Sequence, residues 1–162
     1  MQLITEEFHL LSDQFATRST PFRPPWAAPE RPFVLTCNHC GKCVEACPEH
    51  VLTYGRGDYP EMDFTQGGCT FCGACSDACE LGGLRSPDRH PWNLRAFIAK
   101  TCLANSDTEC NACSAACPAA AISFRPQVGH KSVPILEEML CNGCGACVSV
   151  CPSQAIKIFS LA

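Results

Sequence analysis

Long apolar runs are missing from this 162-residue sequence, and none approaches the ~18 residues of a membrane-crossing helix. Charge is scarce too: Asp, Glu, Lys and Arg make up 17% of the chain, against about 25% in an ordinary soluble domain. Low charge argues against disorder. Leu, Ile, Val and Phe together supply only 34 of 162 residues, little above the level at which a chain stops being able to bury a core. A net charge of −4 and a pI near 5.7 leave no basic footprint for nucleic acid. No Ser/His/Asp set, paired carboxylates or phosphate-binding glycine loop appears, so the chain is read as something other than an enzyme. The start, MQLITEEFHLL, has no basic segment, carries Glu6 and Glu7, and lacks a small-residue cleavage site or an arginine pair. The expected location is therefore cytoplasmic, with thiols kept reduced.

Cysteine is what the chain has instead: 16 of its 162 residues. They fall into four groups of four. Cys37, Cys40, Cys43 and Cys47 precede Pro48; Cys69, Cys72, Cys75 and Cys79 precede Glu80. Cys102, Cys110, Cys113 and Cys117 precede Pro118; Cys141, Cys144, Cys147 and Cys151 precede Pro152. Start-to-start distances are 32, 33 and 39, the last lengthened by five extra residues inside the third group. The following residues repeat as well: CPEHVL, CELGGL, CPAAAI and CPSQAI each place an aliphatic five positions past the last cysteine. One small unit is used four times.

Groups one and four keep the spacing C-x2-C-x2-C-x3-C-P in full. This is the bacterial ferredoxin spacing, in which the fourth cysteine ligates the other cluster of a pair. Two-residue gaps let a tight loop put three thiolates on three corners of one cube, leaving loop N–H groups to donate to sulfur. The fourth cysteine, about a helical turn later, points to a neighbouring cube, and proline ends the turn. Zinc sites use separated pairs and have no need of a third evenly spaced thiol. All sixteen cysteines are therefore candidate iron ligands for 4Fe–4S clusters, four in number. Two departures stand out. Glu80 replaces the proline after group two. In group three the first gap is seven residues, LANSDTE, so Cys102 either reaches its cluster from a longer loop or is a buried thiol outside the set.

The intervening segments suggest an α+β fold of two tandem modules. VLTYGRGDYPEMDF and AISFRPQVGHKSVPIL read as hairpins, inside groups one–two and three–four. Between groups two and three, Pro91 is expected to open a helix running through Phe97 and Ile98. The expected domains are a Pro-rich extension (1–30) and two ferredoxin-like modules (31–88 and 89–162). Sequential pairing would group Cys37, Cys40 and Cys43 with Cys79, and Cys69, Cys72 and Cys75 with Cys47. It would likewise group Cys102, Cys110 and Cys113 with Cys151, and Cys141, Cys144 and Cys147 with Cys117. A nested arrangement, group one with four and two with three, stays open. His39 reads as an exposed loop residue, while His9, His50, His90 and His130 share no metal-site spacing. Trp26 and Trp92 are expected to pack over the modules, with partner anchoring the alternative for Trp26.

Four such groups, the stretch Arg23-Pro24-Pro25-Trp26, the irregular third group and the ending LCNGCGAC-x3-CP together resemble the NapF family. These are ferredoxin-type accessory proteins of periplasmic nitrate reductase systems. The resemblance implies a cytoplasmic protein that binds the catalytic subunit NapA before export and assists its maturation. An electron-transfer protein or subunit feeding a redox enzyme is the alternative. Residues 1 to 36 have no cluster duty: a short helical start is expected, followed by a Pro-rich stretch, PFRPPWAAPERPF, that is expected to be extended. With Arg23, Trp26 and Phe33, they are the expected contact to NapA.

Overall fold

The computed structural model describes residues 21–161, apart from positions 86, 88, 107, 128 and 129. A helical start before residue 21, read from the sequence, lies outside that range. The elements run α1 (Glu30–Thr36), α2 (Lys42–Glu45), β1 (Leu52–Tyr54), a 3-10 turn (Arg56–Asp58), β2 (Pro60–Met62), α3 (Ala74–Asp77) and β3 (Leu94–Ile98). A second 3-10 turn (Leu103–Ser106) follows, then α4 (Ala112–Ala115), β4 (Ile122–Gln127), β5 (His130–Leu136), α5 (Ala146–Ser149) and β6 (Ile156–Ser160). Helices and strands alike are short.

Among the described residues, three antiparallel two-stranded sheets tie the chain together. β1 and β2 form the first expected hairpin, with Thr53 opposite Glu61; β4 and β5 form the second, with Ser123 opposite Ile135. The third sheet corrects the sequence reading. Residues 94–98 form a strand, not a helix, and β3 pairs with β6 from Leu94↔Ser160 to Ile98↔Ile156. The reason is periodicity: Leu94 and Ala96 are buried while Phe97 faces out, a two-residue alternation. Its partner, IKIFS, lies about 60 positions downstream, out of reach of local pattern.

The Pro-rich stretch also departs from expectation. Residues 30–36 are helical rather than extended, because Pro32 sits in the first turn, where its missing N–H costs nothing. Its aromatic side chains point inward. Phe33 is 1% exposed, Trp26 is 5% exposed, and Pro24 and Pro25 are buried with them. Arg23 pairs with Glu30 at 2.7 Å and lies over the Phe33 and Tyr59 rings at 5.3 and 5.2 Å. Met62 N–H donates to the Phe22 carbonyl (2.7 Å), Ala28 N–H to the Gly83 carbonyl (3.0 Å), and Ala27 bridges Leu84. Residues 22–36 are thus a strap sewn onto the first half of the chain. The partner-contact role expected of Trp26 and Phe33 does not survive, since both rings fill the core.

That core gathers Trp26, Phe33, Val51, Leu52, Met62, Phe64, Leu84 and Leu94. A smaller one, in the second half, is built from Ala96, Ile122 and Ile156 with Cys113 and Cys147. Cysteine thus stands where other domains put leucine.

Candidate iron–sulfur sites

The same backbone turn recurs in every cysteine group. Three residues past the last cysteine, the chain enters the left-handed region at His50, Gly82, Ala120 and Gln154 (φ 53, 71, 49 and 50°). In each, that residue's N–H donates back to the carbonyl of the last cysteine: His50 to Cys47, Gly82 to Cys79, Ala120 to Cys117 and Gln154 to Cys151. Three of the four are not glycine, and each such residue costs roughly 1–2 kcal/mol. A turn repeated at that cost is set by something the chain must hold.

A second left-handed residue launches the helix carrying the third cysteine. Gly41, Gly73 and Gly145 adopt φ 75, 83 and 80° ahead of α2, α3 and α5. Group three is the exception: Asn111 takes φ −137° and ψ 15°, outside the left-handed region, before α4. The longer first gap, part of it coiled into the 3-10 turn Leu103–Ser106, brings the chain in from another direction, so no positive φ is needed there. Glu80, the residue replacing proline in group two, pairs at 2.6 Å with Lys42 of α2, across the two groups.

Because the fourth cysteine lies beyond its helix, it faces a different cavity from the first three. Cys37, Cys40, Cys43 and Cys79 line one cavity; Cys47, Cys69, Cys72 and Cys75 line a second. Cys117, Cys141, Cys144 and Cys147 line a third, and Cys102, Cys110, Cys113 and Cys151 a fourth. Cys102 is buried and faces the fourth cavity beside Cys110 and Cys113 of its group. Cys151 shares that cavity with Cys102 and not with Cys37, so the grouping is sequential rather than nested. The second, third and fourth cavities are small and alike in size, while the first is larger and opens past His39, Tyr54 and Leu81. His39 is exposed and packs on the Tyr59 ring at 4.1 Å.

Four thiols around each void fit a cube with one sulfur at each corner iron. Among the described residues, no three Cys, His, Asp or Glu side chains converge tightly enough for a single metal ion. Backbone donors are already aimed at sulfur. Phe71 N–H reaches Cys69 Sγ (3.4 Å), Ala121 reaches Cys117 (3.3 Å) and Ala155 reaches Cys151 (3.3 Å). Ala96 of β3 donates to Cys141 Sγ at 3.4 Å, a contact hidden from the sequence by the helical reading of that segment.

Electrostatics explain why the sites need cations. Burial, followed by the neighbouring cysteines, pushes the Cys43 and Cys69 thiols up to about 11 and those of Cys75 and Cys147 up to about 12. Four buried negative sulfurs repel unless iron lies between them. Cys151 is the opposite case: burial raises it, but N–H groups from Ala155, Ser153 and Ile156 and the Ser153 hydroxyl outweigh that and bring it below the ordinary value.

The 4Fe–4S dicluster domain family matches residues 36–82 and again 108–155, once for each half of the cysteine set. Ferredoxin-type protein NapF of Escherichia coli K12 is 37% identical over 91% of this chain and 90% of its own length. The Haemophilus influenzae NapF is 41% identical over 86% of this chain and 79% of its own. This chain belongs to the NapF family of ferredoxin-type proteins. More distant kinship reaches the methylamine utilization ferredoxin-type protein MauM of Paracoccus denitrificans, 35% identical over 80% of this chain and 66% of that protein. Two dicluster domains and sixteen cysteines fit four 4Fe–4S clusters. Among the described residues, no helix is long and apolar enough to cross a membrane.

Proposed function

We propose that this NapF-family chain works in the cytoplasm as an iron–sulfur accessory protein of a periplasmic nitrate reductase, engaging the catalytic subunit NapA and assisting its maturation before export. Its two α+β ferredoxin-like modules, residues 31–88 and 89–162, would each hold two clusters. The ligand sets are Cys37, Cys40, Cys43 and Cys79; Cys47, Cys69, Cys72 and Cys75; Cys117, Cys141, Cys144 and Cys147; and Cys102, Cys110, Cys113 and Cys151. A bound 4Fe–4S cluster supplies one-electron chemistry at a potential set by its hydrogen bonds and exposure. The protein's part is to present four thiolates, aim N–H donors at them and keep water from most of each void. The observation that carries this reading is the coincidence of four thiol-lined cavities with NapF kinship over 91% of the chain.

An anaerobic pull-down with NapA precursor tests it directly, with capture expected. Deletion of the gene should leave NapA poor in its own cofactors. A second reading, electron transfer to a redox enzyme, draws support from the contact between the second and third thiol sets described below. On that reading, deletion leaves NapA fully loaded.

A further inference from the structure

The two halves of the chain meet along one seam, and the seam runs through the cysteines themselves. Cys69 N–H donates to the Cys144 carbonyl at 2.8 Å, joining a thiol residue of the second cavity to one of the third. Close approach is possible because side chains are absent on both sides. A Cβ on Gly68 would lie 2.6–2.8 Å from the Cβ, Cα and N of Ala146, far inside contact distance. Gly145, two residues from Cys147, presents its bare Cα to the Phe64 ring. Trp92 closes the seam's edge: its indole donates to the Asn142 carbonyl (2.9 Å), and its ring meets Phe71 and Phe64 edge-on at 5.3 and 6.1 Å.

Within each half, the paired sites are already adjacent, because α2 carries Cys43 and is followed by Cys47 while α3 carries Cys75 and is followed by Cys79, and the same holds for α4 and α5. We infer that Gly68 and Trp92 are positioning residues that dock the two halves so that all four thiol sets stand in one unbroken row, ordered first, second, third, fourth, with the Cys69–Cys144 amide link at its centre. This rests on the cluster assignment proposed above. It adds that the inner pair, from different modules, is held as deliberately as the pairs within modules. Glycine at 68 is therefore demanded by the distance between modules, not by a turn, since its φ is not in the left-handed region.

The experiment uses the full-length protein, anaerobically reconstituted, with iron content and the EPR of the dithionite-reduced form read together. Gly68→Val forces the seam open at backbone atoms. Gly67→Val is the control, because a Cβ there meets Val51 Cγ1 at 3.4 Å and the Glu49 carbonyl at 3.9 Å, both ordinary contacts. Magnetic coupling between clusters falls as the cube of their separation. Gly68→Val should therefore keep the iron of the wild type while its spin-interaction broadening narrows and its half-saturation power drops several-fold. Gly67→Val should match wild type in both. If Gly68→Val fails to take up full iron, Trp92→Phe carries the test: it keeps an aromatic ring, removes the Asn142 link, and should shift relaxation in the same direction to a smaller extent. Full iron with unchanged relaxation in the loaded variant overturns the inference. A wild-type chain that saturates well short of four clusters overturns the cluster assignment instead, and the row falls with it.

Discussion

The indole Nε1 of Trp26 donates to the carbonyl of Arg89 at 2.7 Å, and the Trp26 amide donates to Pro91 at 2.9 Å. One residue of the strap thereby fixes the segment that leads from the second cysteine group into β3. A ring buried to 5% exposure at such a junction does two jobs, packing and steering. Trp26→Ala should destabilise the holo-protein by about 3–5 kcal/mol, the usual cost of emptying a core aromatic position. The check is anaerobic denaturant unfolding followed through cluster absorbance. Removal of residues 1–30 should behave likewise. A truncated protein that keeps wild-type stability would show the strap to be dispensable.

Cys102 gives the sharpest stoichiometric test. It is buried against the fourth cavity, and its longer loop folds into a 3-10 turn to bring it there. Cys102→Ala should lower iron from about sixteen per chain toward about twelve, with the other sites still loaded. Wild-type iron in that variant would mean that the fourth site closes without this thiol.

Backbone handedness yields opposite outcomes at equivalent positions. Gly73 has φ 83°, so Gly73→Ala should cost roughly 1–2 kcal/mol. Asn111, at the matching place in group three, has φ −137°, so Asn111→Gly should gain nothing and lose a few tenths through added chain entropy. Ala120, at φ 49°, is the reverse case. Ala120→Gly trades left-handed strain for chain entropy and should be neutral to stabilising by up to about 1 kcal/mol. Thermal midpoints of the three holo variants decide among these signs.

A pH effect is expected at the strap. The Arg23 guanidinium, hydrogen-bonded to Glu30, holds the Glu30 carboxyl below its ordinary 4.5. A carboxyl depressed in the folded state stabilises fully above its unfolded value and loses that contribution as pH falls through the folded one. Glu30 is 44% exposed, so screening limits the effect to under about 1 kcal/mol. The stability gap between wild type and Glu30→Gln should stay constant from about pH 7 to about pH 5 and close below the ordinary value. A gap that grows on acidification would assign the pair another role.

The iron-free chain should lack most of this structure. With thiols occupying core positions such as Cys113, Cys144 and Cys147, much of the folding free energy must come from metal binding. Far-UV circular dichroism of the apo-protein should show little regular structure. A cooperative transition like that of the holo form would overturn this.

Cysteine spacing made the sites legible because a cube dictates local loop geometry within a dozen residues. The two hairpins were legible for the same reason: each closes on itself. What misled was distance in sequence. LRAFI is apolar enough to suit either helix or strand, and only β6, from the far end of the chain, decides between them. The strap misled for a different reason. Arg, Trp and Pro at its start look like a solvent-facing recognition segment until Val51, Leu52 and Leu84 supply the inner surface they cover. Cys69 and Cys144 carry no sequence sign of their contact, because a backbone hydrogen bond leaves none.

The placement of each fourth cysteine in its neighbour's cavity has an assembly consequence. α2 holds Cys43 for one void and hands Cys47 to the next, while α3 does the same in reverse with Cys75 and Cys79. Neither void of such a pair can be completed until both loops are wound. Iron uptake should therefore advance in two strides and not four, each stride filling one half of the chain. A partially charged population would then consist of chains carrying one finished half beside one still unwound, the kind of intermediate a maturation pathway can recognise and return for completion.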